Sequence, residues 1–304
     1  MNFFSDKQKG VLYVIASGLC YGLIGYFGVS IMQENLSAYN MLFWRFLVSA
    51  LTIFFFSFWQ MKKKNFMRSN FLEITKIFFL SAIFHGSSSA FYFISSAKIG
   101  TGLAMILFFI YPLIVVILNR IFYQTKISRS YIFAITAILF GVTLLADFGG
   151  LDASFIGILF GILAAIFFGF YVFAVQKTSI PPLTLAFVVS LGCCFASAIF
   201  AIIDGSFQAP KNAEPFFNIL AMGVISTALP ILFFLRGLEY IDSAKASLLG
   251  VFEPLAVLFF GWLLLGEKIS TIQLIGSFVI LVGGAIVLME KGKKDVKSSA
   301  SSVM

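Results

Sequence analysis

Charge is what this 304-residue sequence has least of: only 11% of its residues are Asp, Glu, Lys or Arg, while 60% are hydrophobic. A soluble domain needs a mixed polar surface to stay in water, and a mean hydropathy of +1.02 is incompatible with such a surface. The forty Phe residues are spread along the whole chain, which leaves no room for a soluble domain of useful size. The composition therefore predicts an integral membrane protein embedded in a lipid bilayer.

Residues for metal, redox and enzyme chemistry are also scarce. The three Cys residues lie in apolar runs without metal-ligand spacing, which argues against a disulfide framework and a zinc site. The sequence contains no Gly-x-x-x-x-Gly-Lys-Ser/Thr loop for ATP, and its lone histidine, His85, has no nucleophile and base arranged around it. We expect a protein that is not an enzyme and carries no cofactor or metal.

Basic residues outnumber acidic ones, 21 to 13, and give a net charge of +8. They form short tracts that flank apolar runs, which is the pattern of membrane topology signals and not of nucleic-acid binding. Nucleic acid is therefore excluded as a partner.

Long apolar runs make up most of what is present. At about 20 apolar residues per crossing, they predict an all-α polytopic membrane protein with ten transmembrane helices. The predicted spans are 10–31, 39–59, 72–95, 101–122, 130–147, 155–176, 183–203, 216–236, 244–265 and 270–290.

The distribution of Lys and Arg predicts the orientation, because cytoplasmic segments carry the excess of these residues. With the N-terminus inside, only Lys98, Lys211 and Lys268 fall in outer loops. Seventeen fall in cytoplasmic segments: Lys7, Lys9, Lys62, Lys63, Lys64, Arg68, Lys76, Arg120, Lys126, Arg129, Lys177, Arg236, Lys245, Lys291, Lys293, Lys294 and Lys297. Both termini are expected in the cytoplasm.

The chain also repeats itself. An offset of 142 residues places 99–128 on 241–270 with nine identities in thirty positions, among them Pro112 on Pro254. An offset of 147 places Gly10 on Gly157 and Gly22 on Gly169. Two five-helix halves follow, and because five is odd, the second half must cross the membrane in the opposite sense to the first. We expect a first repeat at 1–148, an inverted second repeat at 149–291 and a solvated basic tail at 292–304.

At this point the sequence resembles the EamA family of the drug/metabolite transporter superfamily. The resemblance rests on "GLEYIDSAKASLLGVFEPLAVLFFGWLLLGEKIS" (237–270) and on its weaker first-half partner "SSAKIGTGLAMILFFIYPLIVVIL". It implies a carrier in the bacterial inner membrane for a small organic metabolite, often an amino acid or related compound, and often an exporter. It also implies a central cavity lined by helices one, three, four, six, eight and nine.

Polar residues within the spans are the candidates for substrate binding. His85, Ser89, Tyr92 and Ser96 follow one another at spacings of four, three and four, so they share one face of helix three. Because a polar stripe facing lipid is expensive, this face should meet either another helix or a polar cavity. Both interpretations remain open for this face: helix packing, or binding of the polar parts of a substrate by His85, Ser89 and Tyr92.

Glu253 and Pro254 lie in the middle of an apolar run. Pro112 and Pro254 are predicted hinges, since neighbouring groups can satisfy the carbonyl that a proline leaves free. Glu253 is matched in the first half by Tyr111, which is itself a predicted substrate-binding residue, so the acid is asymmetric between the halves. It either carries protons for coupled transport or stays paired as a structural group.

Four further residues complete the predicted site. Arg45 lies about two turns into helix two, where it either reaches to the interface or anchors an anionic group of the substrate. Thr227 matches His85 at the 142 offset, and Tyr26 and Tyr171 are expected as aromatic walls. Because the remaining site residues are aromatic and neutral, they suit a zwitterion or an amphipathic ring better than a multiply charged phosphate.

The sequence therefore predicts a secondary transporter that works by alternating access on a small-molecule substrate, as an exporter and with proton coupling, and as a monomer or homodimer. Uptake or exchange of a host-derived or nucleotide-like metabolite is the first alternative. A channel or passive membrane scaffold is the second, and the inverted repeat disfavours it because rocking of two halves needs such a repeat.

Overall fold

The computed structural model describes residues 5–24, 26–27, 31, 36–60, 70–125, 127–145, 154–209, 213–266 and 268–289, and all regular secondary structure in these ranges is helical. The predicted tail at 292–304 lies outside the described residues. So do ten of the basic residues used for orientation, namely Lys62, Lys63, Lys64, Arg68, Lys126, Lys211, Lys291, Lys293, Lys294 and Lys297.

The helices follow one another through short connections. In chain order they are α1 (Asp6–Tyr21), α2 (Ala38–Gln60), α3 (Phe71–Ile99), α4 (Thr101–Tyr123), α5 (Arg129–Leu145), α6 (Phe155–Val175), α7 (Pro182–Ile203), α8 (213–237), α9 (Ser243–Leu265) and α10 (Thr271–Met289). Within the described ranges, eight are long and apolar enough to cross a membrane, while α5 has 17 residues and α1 has 16.

Two predicted boundaries need correction. The first span was expected to be continuous over 10–31, but α1 ends at Tyr21, where the Gly22 N–H donates to the Cys20 and Gly18 carbonyls at a turn. The described residues Ile24, Tyr26, Phe27 and Ile31 beyond this turn are helical again. The third span was expected to end at residue 95, whereas α3 continues to Ile99 and ends at Gly100, whose φ of +79° favours glycine. Polar residues before that glycine hid the last turn from a hydrophobicity pattern.

Four helices depart from regular α geometry in their interiors. Ser81–Gly86 in α3 and Val224–Ala228 in α8 are π-helical turns, which often occur at functional sites. Helix α4 is interrupted after Phe108 and resumes at Tyr111, and α9 is interrupted after Leu249 and resumes at Phe252.

The two prolines explain why α4 and α9 resume where they do. Pro112 and Pro254 each occupy the first turn of the second half of their helix. A proline at that position removes no helical hydrogen bond, because the first N–H groups of a helix have no partner within it. The bend expected at each proline therefore takes the form of a break that immediately precedes it.

The helices pack mainly across the two halves of the sequence. Helix α1 packs on α8 and α9, α3 and α4 pack on α6, α2 packs on α7, and α5 packs on α10. Glycines allow the close approaches: a Cβ on Gly157 would lie 2.5 Å from Ile99 Cγ2, and one on Gly169 would lie 2.7 Å from Ile114 Cγ2. The regularly spaced small residues of α6 thus face α3 and α4.

The bundle has two ends, which we name by α1. At the N-terminal end, where α1 begins, Gly10 packs against Tyr240 and the Glu73 carboxylate accepts hydrogen bonds from the 178–179 turn. At the far end, the Asn40 amide donates to the Gln208 carbonyl at 2.8 Å.

Candidate substrate site

A cavity of about 960 Å³ lies between the two halves of the chain. At the far end it reaches the exposed residues Lys98, Thr101 and Lys268, and it descends to Tyr21 and Glu253 in the middle of the bundle. The described residues that line it belong to α1, α2, α3, α4, α5, α6, α9, α10 and their connections at the far end, and none lies at the N-terminal end. The cavity is thus open at one end and closed at the other.

The polar face of α3 lines this cavity. His85, Ser89, Tyr92 and Ser96 all contribute to the wall, as their spacing on one helix face requires. Ser88, next to this face, also borders the cavity, and its hydroxyl donates to the Ala164 carbonyl of α6 at 2.7 Å. Cavity lining and helix packing, the two interpretations left open by the sequence, thus both apply to the serines of this part of α3.

His85 is held by aromatic rings at the end of the π-helical turn of α3. Its ring centroid lies 4.5 Å from that of Tyr171, 5.3 Å from Phe168 and 5.7 Å from Phe46. The side chain is 4% exposed, and Nδ1 has no hydrogen-bond partner among the described residues. Since a buried polar atom without a partner is costly, His85 is ready to bond a ligand that enters the cavity.

Arg45 points into the cavity from α2. The residue is only 5% exposed, and its guanidinium carbon lies 4.6 Å from the centre of the Phe46 ring. Within the part of the chain that the structure describes, Nε has no hydrogen-bond partner. This position is a buried cavity wall, which differs from a side chain that reaches to the membrane interface.

Glu253 enters the cavity at the break in α9. It is the second residue of the helical segment Phe252–Leu265, and its N–H bonds to the Gly250 carbonyl at 2.9 Å. A carboxylate in the first turn of a helix lies near the positive end of the helix dipole. The break before Pro254 therefore presents the acid to the cavity.

Arg45 and Glu253 both line the cavity, and they do not form an ion pair with each other. Neither takes part in an ion pair among the described residues. Charges removed from bulk water are normally paired, because an unpaired buried charge is costly. The cavity therefore offers one positive and one negative group to a ligand.

The predicted aromatic residues occupy different places. Tyr26 lines the cavity, whereas Tyr111 and Tyr171 border a smaller pocket of about 20 Å³ that lies beneath it and also touches Glu253. The Tyr111 hydroxyl donates to the Ser247 carbonyl at 3.1 Å, which closes the space towards the N-terminal end.

Thr227 is the predicted site residue that the structure does not bring to either pocket. It is fully buried in the π-helical turn of α8, and its hydroxyl donates to the Met222 carbonyl at 3.0 Å. Thr227 matches the depth of His85 in the proposed repeat, but its side chain does not face the cavity, because α8 packs on α1 and α2.

Sequence reasoning missed several lining residues. Tyr21 and the rings of Phe93, Phe108 and Phe168 contribute to the wall. Tyr21 follows Cys20 in the glycine-rich first helix and could have been found as a polar aromatic residue near Tyr26. Nothing distinguishes Phe168 within a sequence of forty Phe residues.

A helical bundle around a charged, half-open cavity is an architecture found in membrane transporters. The sequence profile of the EamA-like transporter family matches residues 8–146 and 155–289, which is most of the chain. The chain belongs to this family and is a multi-pass membrane transporter.

Relatives and a solved structure agree with this assignment. The chain is 25% identical over 290 residues to the uncharacterized transporter YojE of Bacillus subtilis (strain 168), covering 88% of this chain and 89% of YojE. It is 23% identical over 298 residues to the uncharacterized inner membrane transporter YicL of Salmonella typhimurium, covering 95% and 98% of the two chains. A solved crystal structure has the same fold, with a TM-score of 0.79 at 14% identity over 92% of this chain and 96% of the other.

Proposed function

We propose that the protein is a ten-span secondary transporter built from two inverted five-helix repeats, with α1 and α5 crossing the bilayer beside the eight longer helices. Equivalent local structures at an offset of 142 residues support the repeat. The π-helical turn Ser81–Gly86 corresponds to Val224–Ala228. The left-handed residues Gln124 and Gly266, which end α4 and α9, also correspond, and their N–H groups bond to Asn119 and Gly261 carbonyls respectively.

Equivalent helix contacts support the same proposal. A Cβ on Gly10 would meet Tyr240 and Ile241, and one on Gly157 would meet the corresponding residues Lys98 and Ile99. The packing of α1 on α8 and α9 thus mirrors that of α6 on α3 and α4. Pairs α2–α7 and α5–α10 each join equivalent helices, as expected beside a pseudo-two-fold axis.

Both termini face the cytoplasm of a bacterial inner membrane in this proposal. The described basic residues at helix ends support it, because they are concentrated at the N-terminal end of the bundle. They are Lys7, Lys9, Lys76, Arg120, Arg129, Lys177, Arg236 and Lys245 at that end, against Lys98 and Lys268 at the far end. The cavity accordingly opens to the outside.

Transport proceeds by alternating access around this cavity. The observation that carries the proposal is a cavity between the halves that opens at one end only and contains the unpaired charges of Arg45 and Glu253. Closure at the N-terminal end disfavours a continuous channel. A carrier must instead expose the same site to the other side by rocking the halves.

The substrate is a small zwitterion such as an amino acid or a related compound. Its carboxylate binds to Arg45, its ammonium group to Glu253, and its apolar part to the rings around His85. Export, the direction that the family resemblance implied, and exchange of protons at Glu253 complete the proposal.

A screen followed by a matched pair of variants tests the substrate assignment. Purified protein is screened by thermal shift against a metabolite panel, and flux of the best zwitterion is then measured in liposomes. Arg45→Gln should raise KM about 10- to 100-fold, because a hydrogen bond to a charged group contributes about 1.5–3 kcal/mol. For the methyl ester of the same compound, the wild type and the Arg45→Gln variant should have the same KM.

Arg236→Gln is the matched control, since Arg236 is exposed in an ion pair with Glu239 at 3.1 Å, remote from the cavity. It should leave KM unchanged. An Arg45→Gln protein that transports the zwitterion with the wild-type KM would contradict the proposed anchor.

A further inference from the structure

The closed end of the bundle contains a ring of three hydrogen bonds. The Asn119 amide donates to Ser243 Oγ at 2.8 Å, Ser243 Oγ donates to Gln176 Oε1 at 2.5 Å, and Gln176 Nε2 donates to Asn119 Oδ1 at 3.0 Å. The ring joins the end of α4, the end of α6 and the start of α9. Asn119 and Ser243 are 6% and 1% exposed, so the ring is shielded from water.

This ring lies beneath the substrate cavity. The Tyr111 hydroxyl, bonded to the Ser247 carbonyl, lies on the path between the cavity and the ring. A Cβ placed on Gly250 would collide with the same hydroxyl, so α4 and α9 are in tight contact at this level. No solute can leave towards the N-terminal end while these contacts persist.

The proposed repeat gives two residues of this ring, Asn119 and Ser243, a corresponding residue at the opposite end of the bundle. At the 142 offset, Asn119 corresponds to Gly261 and Ser243 corresponds to Thr101. Both partners line the open cavity. Thr101 keeps a hydroxyl where Ser243 has one, whereas Gly261 lacks the amide of Asn119.

The two equivalent interfaces differ in packing. The first half of α9, Ser243–Leu249, packs against the second half of α4, Tyr111–Tyr123. The corresponding Thr101–Phe108 makes no comparable contact with Phe252–Leu265, and the cavity mouth separates them. One interface is therefore closed where its equivalent is open.

We propose that the Asn119–Ser243–Gln176 ring is the inner gate, and that Thr101 docking on the Gly261 turn of α9 is the outer gate. Given the proposed carrier function, the second state forms when the two repeats exchange conformations. The breaks before Tyr111 and Phe252 let the short first halves of α4 and α9 swing independently of the second halves. Only one gate is closed at a time, so the cavity opens to one side or the other.

Because Gly261 has no side-chain amide, the two states should differ in free energy. The inner gate has a buried hydrogen-bond ring, while the outer gate has only the Thr101 hydroxyl as its counterpart. A ring present in one state alone shifts the population towards that state. Removing it should therefore favour closure at Thr101 and Gly261.

Disulfide trapping tests the exchange in full-length protein in which Cys20, Cys193 and Cys194 are replaced by alanine. One variant carries Asn119→Cys with Ser243→Cys, and the other carries Thr101→Cys with Gly261→Cys. Each is reconstituted in liposomes, oxidised with copper phenanthroline and assayed for exchange of a radiolabelled mixture of the standard L-amino acids. We expect both pairs to cross-link, each cross-link to stop exchange, and dithiothreitol to restore it, while single-cysteine variants treated in the same way form no intramolecular cross-link.

Adding Asn119→Ala to the Thr101/Gly261 variant gives a readout that does not require transport. The rate of cross-linking at the far end should increase at least about threefold. A free-energy difference of about 1.4 kcal/mol corresponds to a tenfold change in the population ratio of the two states, and loss of the ring should supply part of that difference. Thr136→Ala, which removes an exposed hydroxyl that bonds only within α5, should leave the rate unchanged.

The outcomes separate the gate from the transport proposal. Failure of the Thr101/Gly261 pair to cross-link in active protein, or an unchanged rate with Asn119→Ala, would overturn the gate. Absence of exchange in the cysteine-free parent would instead contradict the proposed function, while the cross-linking rates would still decide whether the two ends exchange.

Discussion

Arg45 and Glu253 set the chemistry of the cavity at the scale of single residues. Each is held by a local feature: the ring of Phe46 lies against the guanidinium, and the helix start after the α9 break lies at the carboxylate. Opposite charges that face one space without pairing are complementary to a ligand with both charges.

Glu253→Gln separates proton coupling from folding. Glutamine has nearly the same shape and cannot exchange a proton, so uptake driven by a pH gradient in proteoliposomes should be lost while thermal stability is retained. Glu239→Gln, which removes an exposed carboxylate at the N-terminal end, is the control and should keep coupling. Unchanged coupling in the Glu253 variant would leave the acid as a structural group.

Site residues could be predicted from the sequence where their side chains are of a type that is rare within apolar spans. His85, Arg45 and Glu253 are polar groups in apolar spans, so the cost of burying them signals a role, and all three line the cavity. Thr227 was misplaced because its hydroxyl can bond to its own helix, where it gives no sign of direction. Phe168 could not be selected, because ring contacts depend on the tertiary arrangement of identical side chains.

At the scale of helices, close packing depends on small residues. A Cβ at Gly192 of α7 would lie 2.5 Å from the Phe78 carbonyl oxygen and 3.0 Å from the Ala82 nitrogen, both backbone atoms of α3. A side chain cannot be accommodated there unless one helix shifts. Backbone contact of this kind fixes the position of the π-helical turn that carries His85.

Gly192→Ala should therefore destabilise the protein by about 1–3 kcal/mol through overpacking. Thermal unfolding in detergent should show a Tm lower by several degrees than that of the wild type. Gly284→Ala is the matched control in α10, since its Cβ would meet only Phe252 Cε2 at 4.0 Å. A Gly192 variant as stable as the Gly284 variant would contradict the packing account.

The hydrophobic pattern predicted most helices to within a few residues, because every span must be apolar over a similar length. It could not reveal the π-helical turns or the interruptions at Phe109 and Gly250, since backbone hydrogen bonding inside an apolar run leaves composition unchanged. The prolines marked where α4 and α9 change, but whether each helix bends or stops depends on the neighbours that satisfy its carbonyls.

At the scale of the whole molecule, the two halves differ mainly in which end is closed. Gly10 and Gly157 make equivalent contacts, whereas the starts of α9 and α4 do not. A small number of identities, such as Pro112 with Pro254, favours the proposed repeat. The sequence gives no sign of which end is closed, because closure depends on tertiary contacts.

Alternating access is the central claim, and counterflow measures it most directly. Proteoliposomes loaded with an unlabelled substrate found in the screen are diluted into a trace of the labelled compound. The account predicts transient accumulation of label above its outside concentration, saturation with rising substrate, and loss of both when the Thr101–Gly261 cross-link is formed. Label that only equilibrates, at a rate proportional to concentration without saturation, would contradict a carrier and indicate a channel.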